Sequence, residues 1–150
     1  MTEKKRPLLE MGRKIISGEY PPPPVGQTIG FRISDITPGQ AVFEMDADAS
    51  RHANPMGTLH GGILCDLSDG AMGMAWASEL EEGETFTTLE LKINFLKPVW
   101  NGHLRAESRV LKRGKTVGLV ECNVRDEKGD LVAYATSTVM TLRGDQAKGR

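Results

Sequence analysis

Apolar and polar positions change rhythm several times along this chain. Leu8, Leu9, Ile15 and Ile16 predict a short helix within residues 6–19. The run Pro21 to Pro24 ends it, because proline removes a backbone donor and clashes with the preceding turn. Such a run predicts an extended polyproline connector. A proline-rich recognition motif is the sharper reading of the tract, and a stiff connector the one we prefer. A two-residue alternation follows. Ile29, Phe31 and Ile33 face one way, with Arg32 and Ser34 opposite, and Ala41, Phe43 and Met45 repeat the pattern after a turn at Pro38-Gly39. Both segments read as half-buried strands. Alternation returns with Leu89, Leu91, Ile93 and Phe95 on one face and Thr88, Glu90, Lys92 and Asn94 on the other. Asn101-Gly102 predicts a hairpin turn. Strands over 103–112, 116–126 and 130–142 follow, joined at Arg113-Gly114 and Lys128-Gly129, which implies an antiparallel meander.

Between the two strand regions lies a helical stretch over roughly 59–80. Its apolar residues (Leu64, Leu67, Met72, Met74, Trp76) run nearly all the way round, the mark of a buried helix. Glycine costs a helix about 1 kcal/mol relative to alanine, so Gly70 and Gly73 predict that something packs close to the backbone. The expected fold is α+β, a curved antiparallel sheet wrapped around one long central helix, with a short N-terminal helix. The organisation expected is an N-terminal helix and connector over 1–24, one domain over 25–142 and a polar, frayed tail over 143–150.

Composition narrows the function. The chain has 150 residues, enough for a single core. Its 19 Lys and Arg against 20 Asp and Glu leave a net charge of -1 and no basic excess for nucleic acid. The stretch from Gly61 to Leu80 carries Asp66, Ser68, Asp69 and Glu79, too polar for a membrane span. The charged N-terminus leads into no apolar signal region. Cys65 and Cys122, both in apolar surroundings, fit two buried thiols in a reducing, cytoplasmic compartment. His52, His60 and His103 are too scattered for a structural zinc site, so no metal is expected.

The chemistry concentrates in Asn54-Pro55-Met56-Gly57-Thr58-Leu59-His60-Gly61-Gly62 and in Asp69. Gly61-Gly62 at a helix start exposes unpartnered N–H groups at the positive end of the dipole, as an oxyanion site requires. The same pair also suits a plain loop-to-helix junction. Asp69 is a poor mid-helix residue. A partly buried carboxylate there would have a raised pKa and serve as base or nucleophile, or it would simply join a polar network. Gly61 and Asp69 are eight residues apart, about 12 Å along one helix. They can cooperate only if Asp69 meets Gly61 of a second subunit, which predicts a dimer with two sites. The helix glycines and alanines (Ala71, Ala75, Ala77) would permit that approach.

Asn54, Gly57, His60-Gly61-Gly62 and Asp69, with the strand order around them, resemble the phenylacetate-degradation-type hotdog-fold thioesterases over roughly residues 25–142. The resemblance implies an acyl-CoA thioesterase acting on an aryl or a short- or medium-chain acyl group, with coenzyme A as part of the substrate and no cofactor. It implies Asp69 as base or nucleophile and the partner's Gly61 N–H as oxyanion donor. Asn54 would position the water or carbonyl, His60 would hold the loop beside the thioester, and Thr88 would orient the water. Asp66 stays open as a second helix carboxylate. Gly114-Lys115-Thr116 imitates a phosphate-loop ending, but position 109 is arginine and no helix follows. The resemblance instead places the nucleotide near this turn, where Arg113, Gly114 and Lys115 would bind substrate and Lys112 would add charge, with Gly62 as a further substrate-binding residue; a solvated basic hairpin is the plain alternative. Met72, Trp76 and Phe86 would line the acyl pocket. A homodimer pairing into a tetramer is expected. A non-catalytic acyl-CoA-binding sensor or carrier is the first rival reading and a dehydratase the second.

Overall fold

In the computed structural model, which describes residues 4–150, helix α4 (Gly61–Ala77) lies in the hollow of a six-stranded sheet. Chain order before it is α1 (Pro7–Ile16), α2 (Pro24–Ile29), β1 (Phe31–Thr37), β2 (Gln40–Ala47) and α3 (Ala49–His52). After it come β3 (Thr85–Phe95), β4 (Gly102–Lys112), β5 (Val117–Asp126) and β6 (Leu131–Leu142). Every pairing is antiparallel, in the order β1-β2-β4-β5-β6-β3. This is the hotdog architecture.

Inward positions on the sheet (Phe43 and Met45, Leu104 and Ala106, Val120 and Cys122, Ala135 and Val139) meet Leu67, Ala71, Met72, Ala75 and Trp76 of α4 in one core. Burying a side chain of Leu or Met size stabilises by roughly 1.5–3 kcal/mol, so this interface dominates the fold. Ser108 adds a polar tie, its hydroxyl 2.7 Å from the Ala71 carbonyl oxygen. Helix α1 buries Leu9 and lays Gly12 on Ile36 and Met74.

Three local expectations change. The proline tract is extended only to Pro23; Pro24 opens α2, and the chain leaves that helix at Gly30 with φ 98°. Proline suits a first helical position, where its missing N–H is no loss, so Ile29 ends a helix and does not begin a strand. Asn101-Gly102 closes no hairpin. β3 pairs with β6 at the sheet edge, and residues 96–101 carry the chain back to β4 in the interior. Turn chemistry is local, whereas strand order follows from which faces the helix buries. Third, the register of β3 slips between Thr88 and Glu90, so Leu89 bulges out unpaired and 53% exposed. The extra residue puts Phe86, Thr88, Leu91 and Ile93 on one face, towards α4, where plain alternation sets Thr88 opposite Leu91.

The tail folds into a 3-10 turn at Gly144–Ala147. Among the described residues no helix is long and apolar enough to cross a membrane. Nor do any three His, Cys, Asp or Glu among them stand ready to share a metal ion.

Candidate active site

The loop before α4 is built by its own polar groups. Asn54 Oδ1 accepts from the amides of Met56 (3.0 Å) and Thr58 (3.2 Å), and Asn54 Nδ2 donates to Thr58 Oγ1 (2.9 Å). Behind it, buried His52 accepts from the Asp48 amide at Nδ1 (3.1 Å) and donates from Nε2 to the Ile29 carbonyl (2.8 Å), which fixes the neutral tautomer. The His60 amide donates to the His52 carbonyl (2.8 Å), the Leu59 amide to Val99 (2.7 Å) and the Ile63 amide to His60 (3.0 Å). The Gly61 and Gly62 amides, at the positive end of α4, meet no backbone acceptor among the described residues.

Those amides open on a cleft of about 560 Å³ lined by Asn54, Thr58, His60, Gly61 and Gly62 on one side and by Phe95, Leu96, Pro98 and Val99 on the other. A Cβ on Gly61 would fall 2.7 Å from Phe95 Cζ, and one on Gly62 would fall 2.9 Å from His60 Nε2. A larger residue at either position would have to displace the tip of an exposed side chain, Phe95 or His60. A larger groove of about 780 Å³ runs under Lys4, Arg6 and Glu82 but holds none of the candidate residues.

Asp69 stands two turns further along α4. Thr88 Oγ1 donates to Asp69 Oδ1 at 3.0 Å, the contact that the β3 bulge makes possible. Asp69 is exposed in the single chain, not partly buried, because it shares with Cys65 and Asp66 the side of α4 that the sheet does not cover. Partial burial and then the Asp69 charge raise the Asp66 carboxyl above its ordinary range. Burial, with both aspartates beside it, likewise raises the Cys65 thiol, which is half-buried and free. Cys122 lies in the core, where burial pushes its thiol up to about 12.

Asn54, His60, Gly61 and Gly62 thus gather in one cleft, and Asp69 and Thr88 form a second cluster on the same helix. Arg113, Gly114 and Lys115 join neither. The Arg113 guanidinium lies 4.3 Å from the Trp76 ring, bonds Thr141 Oγ1 at 3.2 Å and pairs with Glu79 and Glu84. Its charge is spent near the C-terminal end of α4. Gly114 is pressed against the Val117 carbonyl in the β4–β5 turn, whereas Lys112 and Lys115 are exposed with no ion pair among the described residues. Met72 and Trp76 are wholly buried in the core and line no open pocket; Phe86 packs on Gly73. The groups that approach Gly70 and Gly73 are this chain's own Phe43, Phe31 and Phe86, and Ala71, Ala75 and Ala77 face its own sheet. The helix face left open carries Gly62, Cys65, Asp66 and Asp69 instead. Sequence reasoning missed Phe95 and the 96–99 wall. Their signal was the run Phe95-Leu96-Lys97-Pro98-Val99-Trp100, in which apolar residues stand side by side and the two-residue alternation is lost.

Residues 56–133 match the profile of the thioesterase superfamily. The chain belongs to that family. A thioesterase by this membership, it is a thioester hydrolase of the phenylacetate-degradation type. It is 35% identical over 101 residues to the proofreading thioesterase EntH of Klebsiella pneumoniae, covering 67% of this chain and 73% of that one. Human acyl-coenzyme A thioesterase 13 is 30% identical over 103 residues, covering 67% and 72%. The crystal structure of a phenylacetic acid degradation-related protein from Ralstonia eutropha superposes with a TM-score of 0.77 at 33% identity, over 86% of this thioesterase and 98% of the other chain.

Proposed function

We propose that this thioesterase hydrolyses the thioester of an aryl or a short- or medium-chain acyl-coenzyme A, at two sites shared across a homodimer. The observation that carries the reading is the Asp69 carboxylate held by the Thr88 hydroxyl on the open face of α4. It sits on the same helix whose N-terminus presents Gly61 and Gly62 to a cleft. The two clusters lie about 12 Å apart along one helix, too far to act on one carbonyl carbon. A two-fold axis beside α4 brings Asp69 of each chain to the other chain's Gly61 and buries the open face. In that setting Asp69 takes a proton from water as the oxygen attacks the carbonyl carbon. The Gly61 N–H donates to the oxyanion, and collapse of the tetrahedral intermediate breaks the C–S bond and releases coenzyme A as its thiolate. Thr88 fixes the carboxylate's orientation.

His60, whose ring lies beside Gly62, flanks the thioester, and Asn54 shapes the loop that holds it. Lys112 and Lys115 stand exposed to meet the phosphates of coenzyme A, while Arg113 is paired with Glu79. Pairing of dimers into tetramers and a cytoplasmic setting complete the reading. The test is thiol release from aryl- and alkyl-CoA substrates. Asp69→Asn is expected to lower kcat by about a hundredfold or more, the usual loss when a positioned base is removed. Binding of acyl-CoA with no turnover by the unmodified protein would instead identify a carrier or sensor.

A further inference from the structure

Phe95 ends β3 with the tip of its ring against Gly61, placed so that a Cβ there would fall 2.7 Å from Cζ and 3.1 Å from each Cε. Phe95 is nevertheless 55% exposed, so it is not consumed by the core. Leu64, Leu96, Pro98 and Val99 continue this nonpolar wall of the cleft. The wall is anchored. Leu96 and Lys97 amides both donate to the Val132 carbonyl (2.8 and 3.2 Å), and Lys97 Nζ is clamped by Asp126 (2.5 Å) and Asp130 (2.7 Å). On the opposite side the Asn54 and Thr58 side chains are bonded to each other.

We propose that Phe95 is a specificity-determining residue. The acyl group of the substrate lies against its exposed ring, and the site favours acyl groups that are flat at the carbon next to the carbonyl over branched ones. This rests on the hydrolase reading above and adds which half of the substrate the cleft takes. A carbonyl oxygen on the Gly61 N–H directs one arm of the thioester along the Phe95 wall. The pantetheine arm carries two amides, which would lose hydrogen bonds to water against Phe95, Leu96 and Pro98. An acyl group has no such groups to strand. A planar acyl group also gains an offset or edge contact with the ring, worth about 0.5–1.5 kcal/mol beyond its area, roughly three- to tenfold. Carbon branching beside the carbonyl would collide with a ring already touching Gly61.

The experiment compares kcat/KM for benzoyl-, hexanoyl- and pivaloyl-CoA in the unmodified protein, Phe95→Ala and Phe95→Leu. Both variants are expected to lower the benzoyl-to-hexanoyl ratio by about three- to tenfold, and Phe95→Ala to raise pivaloyl turnover relative to benzoyl. Phe95→Leu keeps the nonpolar volume and lacks the flat face, so it separates ring contact from mere bulk; unchanged elution and Tm report intact folding. Uniform losses on all three substrates, or ratios that move less than twofold, overturn the assignment while leaving the hydrolase reading standing. An unmodified protein that hydrolyses none of a broad acyl-CoA panel overturns both.

Discussion

At Gly118 a Cβ would fall 2.2 Å from the Trp76 ring and 2.5 Å from the Lys112 carbonyl oxygen. Trp76 is fully buried, with its Nε1 donating to Thr141 Oγ1 at 3.2 Å, so the ring has nowhere to go. Overpacking of this kind costs about 1–3 kcal/mol. Gly118→Ala should therefore lower Tm by several degrees; a Tm within one degree of the unmodified protein would show that β5 can shift. His103 offers a pH test. Its Nδ1 lies 2.8 Å from Asp46 and its Nε2 2.9 Å from Glu44, so both nitrogens donate and the imidazolium is favoured. The Asp46 bond first and the Glu44 bond next raise its pKa above 6.5. A raised folded-state value means stability fully present below the unfolded pKa and lost as pH climbs through the folded one. The Tm advantage over His103→Gln should accordingly shrink on going from pH 6 towards pH 9, and an advantage that stays flat refutes the ion-pair account. Residue by residue, the glycine pair Gly61-Gly62 and the mid-helix Asp69 stand out as local anomalies of the sequence, and the structure puts the pair at the start of α4 and Asp69 on its open side. The half-burial expected of Asp69 is not seen, since the chain's own sheet does not cover the side of α4 that carries it.

Elements were legible where one periodicity ran unbroken. α4 forms where the apolar run predicts it. β2 and β4 follow their alternation closely, because each buries one face against α4. β3 does not. Alternation alone sets Thr88 opposite Leu91, and only the slip at Leu89 turns its hydroxyl towards Asp69. The 96–101 crossover was illegible for a related reason: its course depends on β3 joining β6, a pairing between distant segments. Lys97, 35% exposed, pins that crossover to the β5–β6 turn. Ion pairs open to solvent contribute little, a factor of about five at most in local opening. Lys97→Met should thus speed hydrogen exchange at the Leu59 and Leu96 amides by up to about fivefold and leave the interior of α4 unchanged. Equal acceleration throughout would mean the clamp supports the whole fold.

At the scale of the molecule, the shared-site reading makes a quantitative claim about mixtures. Gly61→Val and Asp69→Asn should each be nearly inactive as pure proteins. Unfolded together and refolded in equal amounts, half of their dimers are hybrids. Each hybrid joins one intact Asp69 to one intact Gly61 and carries one ruined site, so activity should recover to about a quarter of normal. No recovery in a mixture shown to contain hybrids would place both groups in one chain's site. The sheet points the same way, since β3 is an edge strand of 11 residues whose outer side has no partner strand among the described residues. Edges of that length are usually covered. Thr88, which reaches Asp69, and Phe95, which lines the cleft, both lie on this edge strand. Turnover per chain then ceases to be a constant: as the enzyme is diluted it declines along an association curve, and an ordinary activity assay becomes a measurement of how tightly two chains hold each other.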